Sequence, residues 1–532
     1  MVHFRGCGTM MNDESRKGGS SGGLRLLFEG NEQYALAILL LFVSCGTALI
    51  LYHFDRQSFL YFGDAASHIA RARQFIDSQR PGFENIGTVW LPLPHLLLIP
   101  FVSIDSLFYS GIAGLFVGIP CLVGASVLLF LIIRRIIDSP AIAFLSACLF
   151  GLNPNVVYMA LTPMSEPSLF FFVALSGYGF LRWLKSDGER WLVVSAVAVL
   201  LASLCRYEAW LLVPFVSIAA ARSGIYSWIN QSRVAALKSF AISGVCWVGI
   251  AFWLGWNGIQ YGDPLKFAHW TSSVGVSTLI TSHQYDLSEL LLILGKALLA
   301  VFGPFIFLVG AFAFVRPRSL LAERIRSFVF FFFLLPTVFM LTALLSGFVQ
   351  MDRWGWNWRF VVASGLFLSL ANAMGMNEIF LHVRSTIGRS LIVISLFLIF
   401  LIQLILPIPG VTTYNEAKKS FNYGPKDAGV LGEELRSLYH GGSVALLTGY
   451  GQGQRIMISS RLPLRTFNII YNSNEQNILG SLEVSERYLV IGKDRTPESQ
   501  QSVDYWQARR KQLLHFYNLL LENDHYVLME RK

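Results

Sequence analysis

Of 532 residues, 54% are hydrophobic and only 14% are charged, with a mean hydropathy of +0.52. Soluble domains carry about 25% charged residues. The composition therefore excludes a purely soluble protein and indicates a polytopic helical membrane protein with some soluble part. The net charge of +9 is no sign of nucleic-acid binding, because cytoplasmic loops of membrane proteins collect Lys and Arg.

The first 33 residues read as a disordered cytoplasmic tail containing the flexible run Gly18-Gly-Ser-Ser-Gly-Gly23. No cleavable signal peptide is needed, since the first span can serve as the signal. Eleven spans are expected, near 34–53, 108–133, 140–160, 167–183, 191–205, 209–222, 240–259, 290–314, 327–346, 359–380 and 390–408. With the N-terminus inside, the inner segments hold eighteen Lys and Arg, against eight in the outer loops before residue 409. That bias supports an N-in, C-out chain.

The first outer loop, 54–107, carries Asp64, His68, Arg71 and Arg73 directly after the first span. Helical spacing of Ala66, Ile69, Ala70, Phe75 and Ile76 predicts a helix over 65–78 lying along the membrane interface. Asp64 is then either its N-cap or a catalytic carboxylate. His68 reads first as an interfacial polar residue. His95 closes Gly87-Thr-Val-Trp-Leu-Pro-Leu-Pro-His95, a stretch stiffened by proline in which Trp90 suits an interface belt.

Later outer loops place Glu166 before Pro167, and Arg206 with Glu208 in Cys205-Arg-Tyr-Glu-Ala-Trp210. Lys266 and His269 follow in Tyr261-Gly-Asp-Pro-Leu-Lys-Phe-Ala-His269, and Arg359 follows the tryptophans of Asp352-Arg-Trp-Gly-Trp-Asn-Trp-Arg-Phe360. Each has a bland reading: an acid at a helix N-terminus for Glu166, a self-contained pair for Arg206 and Glu208, an interface belt for the tryptophans. A cation such as Arg359 at the mouth of a span can also hold a lipid phosphate through its planar fork. Carboxylates beside a membrane span are functional candidates by default, and all these groups fall on one side of the membrane.

Residues 409–532 change character. Strands are expected at 444–448, 466–471, 487–491 and 526–529, with one long amphipathic helix from Gln500 to Glu522, making a small extracytoplasmic α/β domain. Gly449-Tyr-Gly-Gln-Gly453 lacks the full spacing of a dinucleotide fingerprint and reads as a strand-to-helix turn. Six cysteines occur, none beyond residue 246. No metal-type Cys or His spacing is present.

The order of one span, an outer loop with an early acid and an interfacial helix, many spans and an outer domain resembles the GT-C glycosyltransferases. Within them, Gly63-Asp64-Ala-x-x-His68-Ile-x-x-Ala-Arg73 and Gly87-Thr-Val-Trp-Leu-Pro-Leu-Pro-His95 are similar to family 39-like enzymes, which include protein O-mannosyltransferases and lipid A aminoarabinose transferases. The resemblance covers about residues 34–408. It implies transfer of a sugar from a polyprenyl-phosphate donor to a lipid, glycan or protein hydroxyl at the outer face of the cell (inner) membrane. Asp64 would be the general base and Glu166 a second acid orienting the acceptor or a metal. Arg206 and Arg359 would bind the donor phosphate, with His68, Arg71, His95, Lys266 and His269 as further substrate-binding candidates. Such enzymes work with or without a divalent cation, so no cofactor is assigned. Asp64 is followed by Ala65 rather than a second acid, which departs from many O-mannosyltransferases. The rival classes are a transporter or flippase of lipid-linked sugars, and a surface-polysaccharide polymerase or ligase.

Overall fold

A computed structural model describes residues 31–87, 89–269, 286–315, 324–346, 349, 351–383, isolated positions between 385 and 398, 412–422, 425–448, 452–469, 486–493 and 497–532. Among these, seven helices are long and apolar enough to cross a membrane: Glu32–Phe54, Ile112–Ile136, Glu166–Leu184, Tyr207–Ile229, Arg233–Tyr261, Ile325–Leu345 and Trp358–His382. The protein is a multi-pass membrane protein. Side chains such as Phe42, Ile218, Ile225 and Val248 stand exposed on these helices, as lipid contact requires.

Two expected spans depart from a single straight helix. The segment expected at 140–160 is a pair, Pro140–Gly151 and Pro154–Leu161, bent by 55°. Pro154 has no N–H to continue the ladder, and Asn153 Oδ1 caps the second helix by accepting from Asn155 N at 2.9 Å. The segment at 290–314 breaks into Leu287–Phe302 and Pro304–Val315, because Gly303 adopts φ 76°, open to glycine, ahead of a proline. Arg190–Ser203 is apolar but has only 14 residues. With the bent pair taken as one span the number is eight among the described residues. Most of the segment expected at 390–408, the N-terminal 30 residues, and Gly449 to Gly451 lie outside the described residues.

The helix of the first outer loop spans Gly63–Gln74, starting and ending earlier than the pattern predicts. Its residues from Ala65 to Ala72 are buried, packed between the short helix Leu93–Val102 and the helix Gln452–Ser460 of the C-terminal part.

That C-terminal part holds a five-stranded sheet in the order β2-β1-β3-β5-β4, with β1 Val444–Leu447, β2 Phe467–Ile469, β3 Tyr488–Gly492, β4 Tyr517–Glu522 and β5 Tyr526–Arg531. β2, β1 and β3 are parallel, and β5 and β4 complete the sheet antiparallel. Alternation along each strand divides its side chains between two cores. Val444, Leu446, Tyr488, Val490 and Leu528 join Ile456 and Met457 in a core that continues into Ala66, Ile69 and Ala70 of the first-loop helix. Ala445, Leu447, Leu489, Ile491 and Met529 instead meet Tyr505, Trp506 and Leu513. The helix expected from Gln500 to Glu522 is Pro497–Phe516. Its last stretch is β4, because Asn523 Oδ1 accepts from His525 N at 2.9 Å and Tyr526 N at 2.7 Å, an Asx turn that folds the chain into a hairpin.

Two glycines set how closely the membrane helices approach. A Cβ at Gly118 would strike the Ala160 carbonyl, and one at Gly375 the Val309 carbonyl. Backbone against backbone cannot relax as a flexible side chain does. Gly118→Val and Gly375→Val should each lower the unfolding midpoint in detergent by several degrees, whereas Gly46→Val, with no described atom within 4 Å of its added Cβ, should not. Equal behaviour of the three variants would contradict this packing.

Candidate active site

Four segments distant in sequence meet beside Asp64. The first-loop helix brings Asp64 itself, the N-terminus of Glu166–Leu184 brings Glu166, the turn Tyr207–Leu211 and its N-cap bring Glu208 and Arg206, and the turn before Gly365–His382 brings Arg359. A fifth, the helix Thr412–Asn422, adds Glu416.

Asp64 is not a helix cap. The N-cap residue is Phe62, Asp64 stands inside the first turn, and no side-chain cap hydrogen bond is made there. Its Oδ2 accepts instead from Arg359 Nη2. Arg359 lies over the Phe62 ring at 4.6 Å and beside Phe360 at 5.2 Å, and its Nε is 4.0 Å from Glu416. Glu416 accepts from the backbone N–H groups of Asn357 at 3.0 Å and Arg359 at 2.9 Å. Asn357 has φ 62°, a left-handed conformation that Asn tolerates better than most residues, and Glu416 holds the turn there.

Beside this chain lies a second one. Arg206 donates to Glu166 at 2.8 Å, to Ser165 Oγ at 3.0 Å, and through Nη2 and Nε to Glu208 at 2.7 and 2.9 Å. The Phe360 ring is 5.6 Å from the Arg206 guanidinium, so one aromatic side chain touches both cations, a favourable arrangement. The self-contained Arg206–Glu208 pair exists, and Glu166 extends it. Burial is uneven. The side chains of Glu166, Glu208 and Glu416 are 1%, 6% and 5% exposed, Arg359 is 9% and Arg206 15%, but Asp64 is 33% exposed. The network is closed everywhere except at one carboxylate.

His68, one turn beyond Asp64, is hydrogen-bonded through Nδ1 to His95 Nε2 at 2.7 Å and lies against Trp90, ring centroids 4.6 Å apart. Burial pushes the His68 imidazolium down to about 3, with the Arg206 and Arg359 charges adding to the effect. Burial, then His68 and Arg71, hold His95 well below its usual value. Both rings are neutral at physiological pH. Arg71 is thus near the pair. In the loop of Lys266 and His269, His269 is bonded to Asp263 at 2.8 Å and is 67% exposed. Phe267 between them stacks on Tyr207 at 4.9 Å.

The residues around Asp64 suit a metal poorly. Each acid faces a guanidinium, and no group of three or more His, Cys, Asp and Glu among the described residues could hold an ion.

Sequence reasoning missed Glu416. It sits in a segment read as the start of a separate domain, and no local motif marks it. Trp90 was legible only as an interface residue.

No family profile matches the chain, and no curated protein matches it. Solved structures do. ArnT from Cupriavidus metallidurans in its apo state aligns over 96% of this chain and 98% of its own, with TM-score 0.51 and 11% identity. The oligosaccharyltransferase of Archaeoglobus fulgidus, tethered with an acceptor peptide, aligns over 82% of this chain, with TM-score 0.47 and 13% identity. The chain spans 64% of that enzyme's length. Both are GT-C glycosyltransferases. This chain has the GT-C fold. At such identities the likeness concerns the fold alone.

Burial pushes Glu416 from 4.5 up to about 7, against the opposing pull of Arg359 and the two backbone N–H groups. A carboxyl raised in the folded state contributes stability that is complete below its unfolded value and is lost as pH rises through the folded one. Glu416→Gln carries no such dependence. Its unfolding midpoint relative to wild type should therefore move in favour of the variant between about pH 5 and about pH 8. A constant difference would mean that Glu416 ionises normally.

Proposed function

We propose that the protein is a membrane glycosyltransferase that moves a sugar from a polyprenyl-phosphate donor to an acceptor hydroxyl on a lipid, glycan or protein. The fold supports the class. The observation that carries the chemistry is the exposure contrast: a buried set of two arginines and three glutamates orients a single accessible carboxylate, Asp64.

In this reading Asp64 takes the proton from the acceptor hydroxyl as that oxygen attacks the anomeric carbon. The bond from that carbon to the donor phosphate breaks, its electron pair leaves on the phosphate oxygen, and the anomeric centre inverts. Arg206 and Arg359 offset the charge arriving on the phosphate. Each guanidinium has five N–H donors, so a phosphate can be met without giving up every carboxylate. Glu166 holds Arg206. The site and the C-terminal domain face the outside of the cell membrane, as the Lys and Arg bias indicates.

The transporter reading draws on the bent pair around Asn153, since interrupted helices line transporter sites. Here the break is filled. Asn153 and Asn155 side chains both donate to the Val301 carbonyl at 3.0 Å, and Asn155 Oδ1 accepts from Thr413 N at 2.9 Å. A sealed break offers no cargo site, which favours the transferase.

Asp64→Asn keeps the size of the side chain and cannot accept a proton at neutral pH. In proteoliposomes supplied with polyprenyl-phosphate sugars extracted from host membranes, transfer should fall by roughly 10²–10⁴-fold, with expression and unfolding midpoint close to wild type. Transfer near the wild-type rate would remove Asp64 as the base.

A further inference from the structure

Resting on that reading, we propose that His95 is a positioning residue that fixes His68 as its Nε2–H tautomer, making His68 a hydrogen-bond donor to a sugar hydroxyl beside Asp64.

Donors and acceptors decide the tautomer. His68 Nδ1 and His95 Nε2 are 2.7 Å apart, and two neutral imidazoles share one proton across that contact. If His68 supplies it, His95 must carry its own proton on Nδ1. That atom is buried and has no hydrogen-bond partner among the described residues, and a buried N–H without an acceptor is among the rarest features of folded proteins. If His95 supplies the proton from Nε2, its Nδ1 keeps only a lone pair. The Arg71 charge acts on His95 and favours a lone pair over a further proton there. The second arrangement wins. His68 Nδ1 is then the acceptor, and its proton sits on Nε2.

Position gives this donor a purpose. His68 is four residues after Asp64 on one helix, hence on the same face. It feels the charges of both Arg206 and Arg359, so it borders the same centre. Trp90 lies against its ring, and an indole next to an N–H donor suits a sugar, whose ring presents C–H groups on one face and hydroxyls at its edge. Burial and the two guanidiniums keep His68 from charging. It is therefore a poor base and a constant donor.

Nitrogen-15 spectra of the full-length protein in lipid bilayers, labelled at histidine, read the tautomer without any substrate. Assignment comes by difference from His68→Gln or His95→Gln, whichever folds. The expected result is a protonated Nε2 and bare Nδ1 on His68, unchanged between about pH 6 and about pH 8. A proton on His68 Nδ1, or double protonation of either ring in that range, would overturn the proposal. In the transfer assay, His68→Gln keeps an N–H at similar reach, and His68→Leu keeps none. The glutamine variant should retain at least about tenfold more transfer than the leucine variant. Equal loss in both would point to a base and against a donor. The spectra stand independently of the transferase reading: an active Asp64→Asn enzyme would sink that reading and leave the tautomer untouched.

Discussion

The ion pair between Asp64 and Arg359 joins the first outer loop to the last described membrane helix, and the rest of the site is arranged around it. Removing a carboxylate and a guanidinium from water is costly, and a buried pair repays that cost only when further hydrogen bonds satisfy both partners. Arg359 has Asp64 at one end, Glu416 along its flank and aromatic rings beside it. Asp64 alone keeps a face open. An arrangement that spends so much polar burial on orienting one accessible acid is better explained by chemistry than by stability.

The C-terminal part is built into this arrangement. Glu416 pins the turn that presents Arg359, and Lys419 Nζ donates to the Trp354 carbonyl at 3.1 Å, holding the start of the same turn. Tyr414 donates to Asp55, which also accepts from Tyr61 at 2.6 Å. Arg455 reaches the Leu60 carbonyl and lies over Phe421 at 4.6 Å. With the apolar core shared between Ile69, Ala70, Ile456 and Met457, these contacts bind the first loop to the C-terminal sheet.

How much of this was legible follows from the range of each signal. Apolar runs place the membrane helices, because lipid demands them locally. Short continuous apolar runs place β1, β3 and β5, whose residues are nearly all buried. Asp64, Glu166, Arg206 and Arg359 were legible as charges at the outer ends of spans, where an ionisable group is expensive. What the sequence hid was pairing. Nothing near Asp64 announces Arg359, 295 residues away, and Glu416 lies in a helix whose polar residues look like an ordinary solvated face. The cap reading of Asp64 failed because Phe62 turns into the helix first. The long C-terminal helix failed because hairpin pairing to β5 overrides a continuous helical pattern.

The transferase reading requires this chain to consume a lipid-linked sugar at the outer face of the membrane. Mass spectrometry of polyprenyl-phosphate sugars from cells with and without the gene, before and after treatment with a membrane-impermeant oxidant such as periodate, tests it most directly. Loss of the gene should leave one sugar-loaded polyprenyl phosphate accumulating in the oxidant-accessible leaflet, with the matching sugar lost from surface glycans. Accumulation in the protected leaflet would identify a flippase, and an unchanged lipid profile would contradict the transferase account.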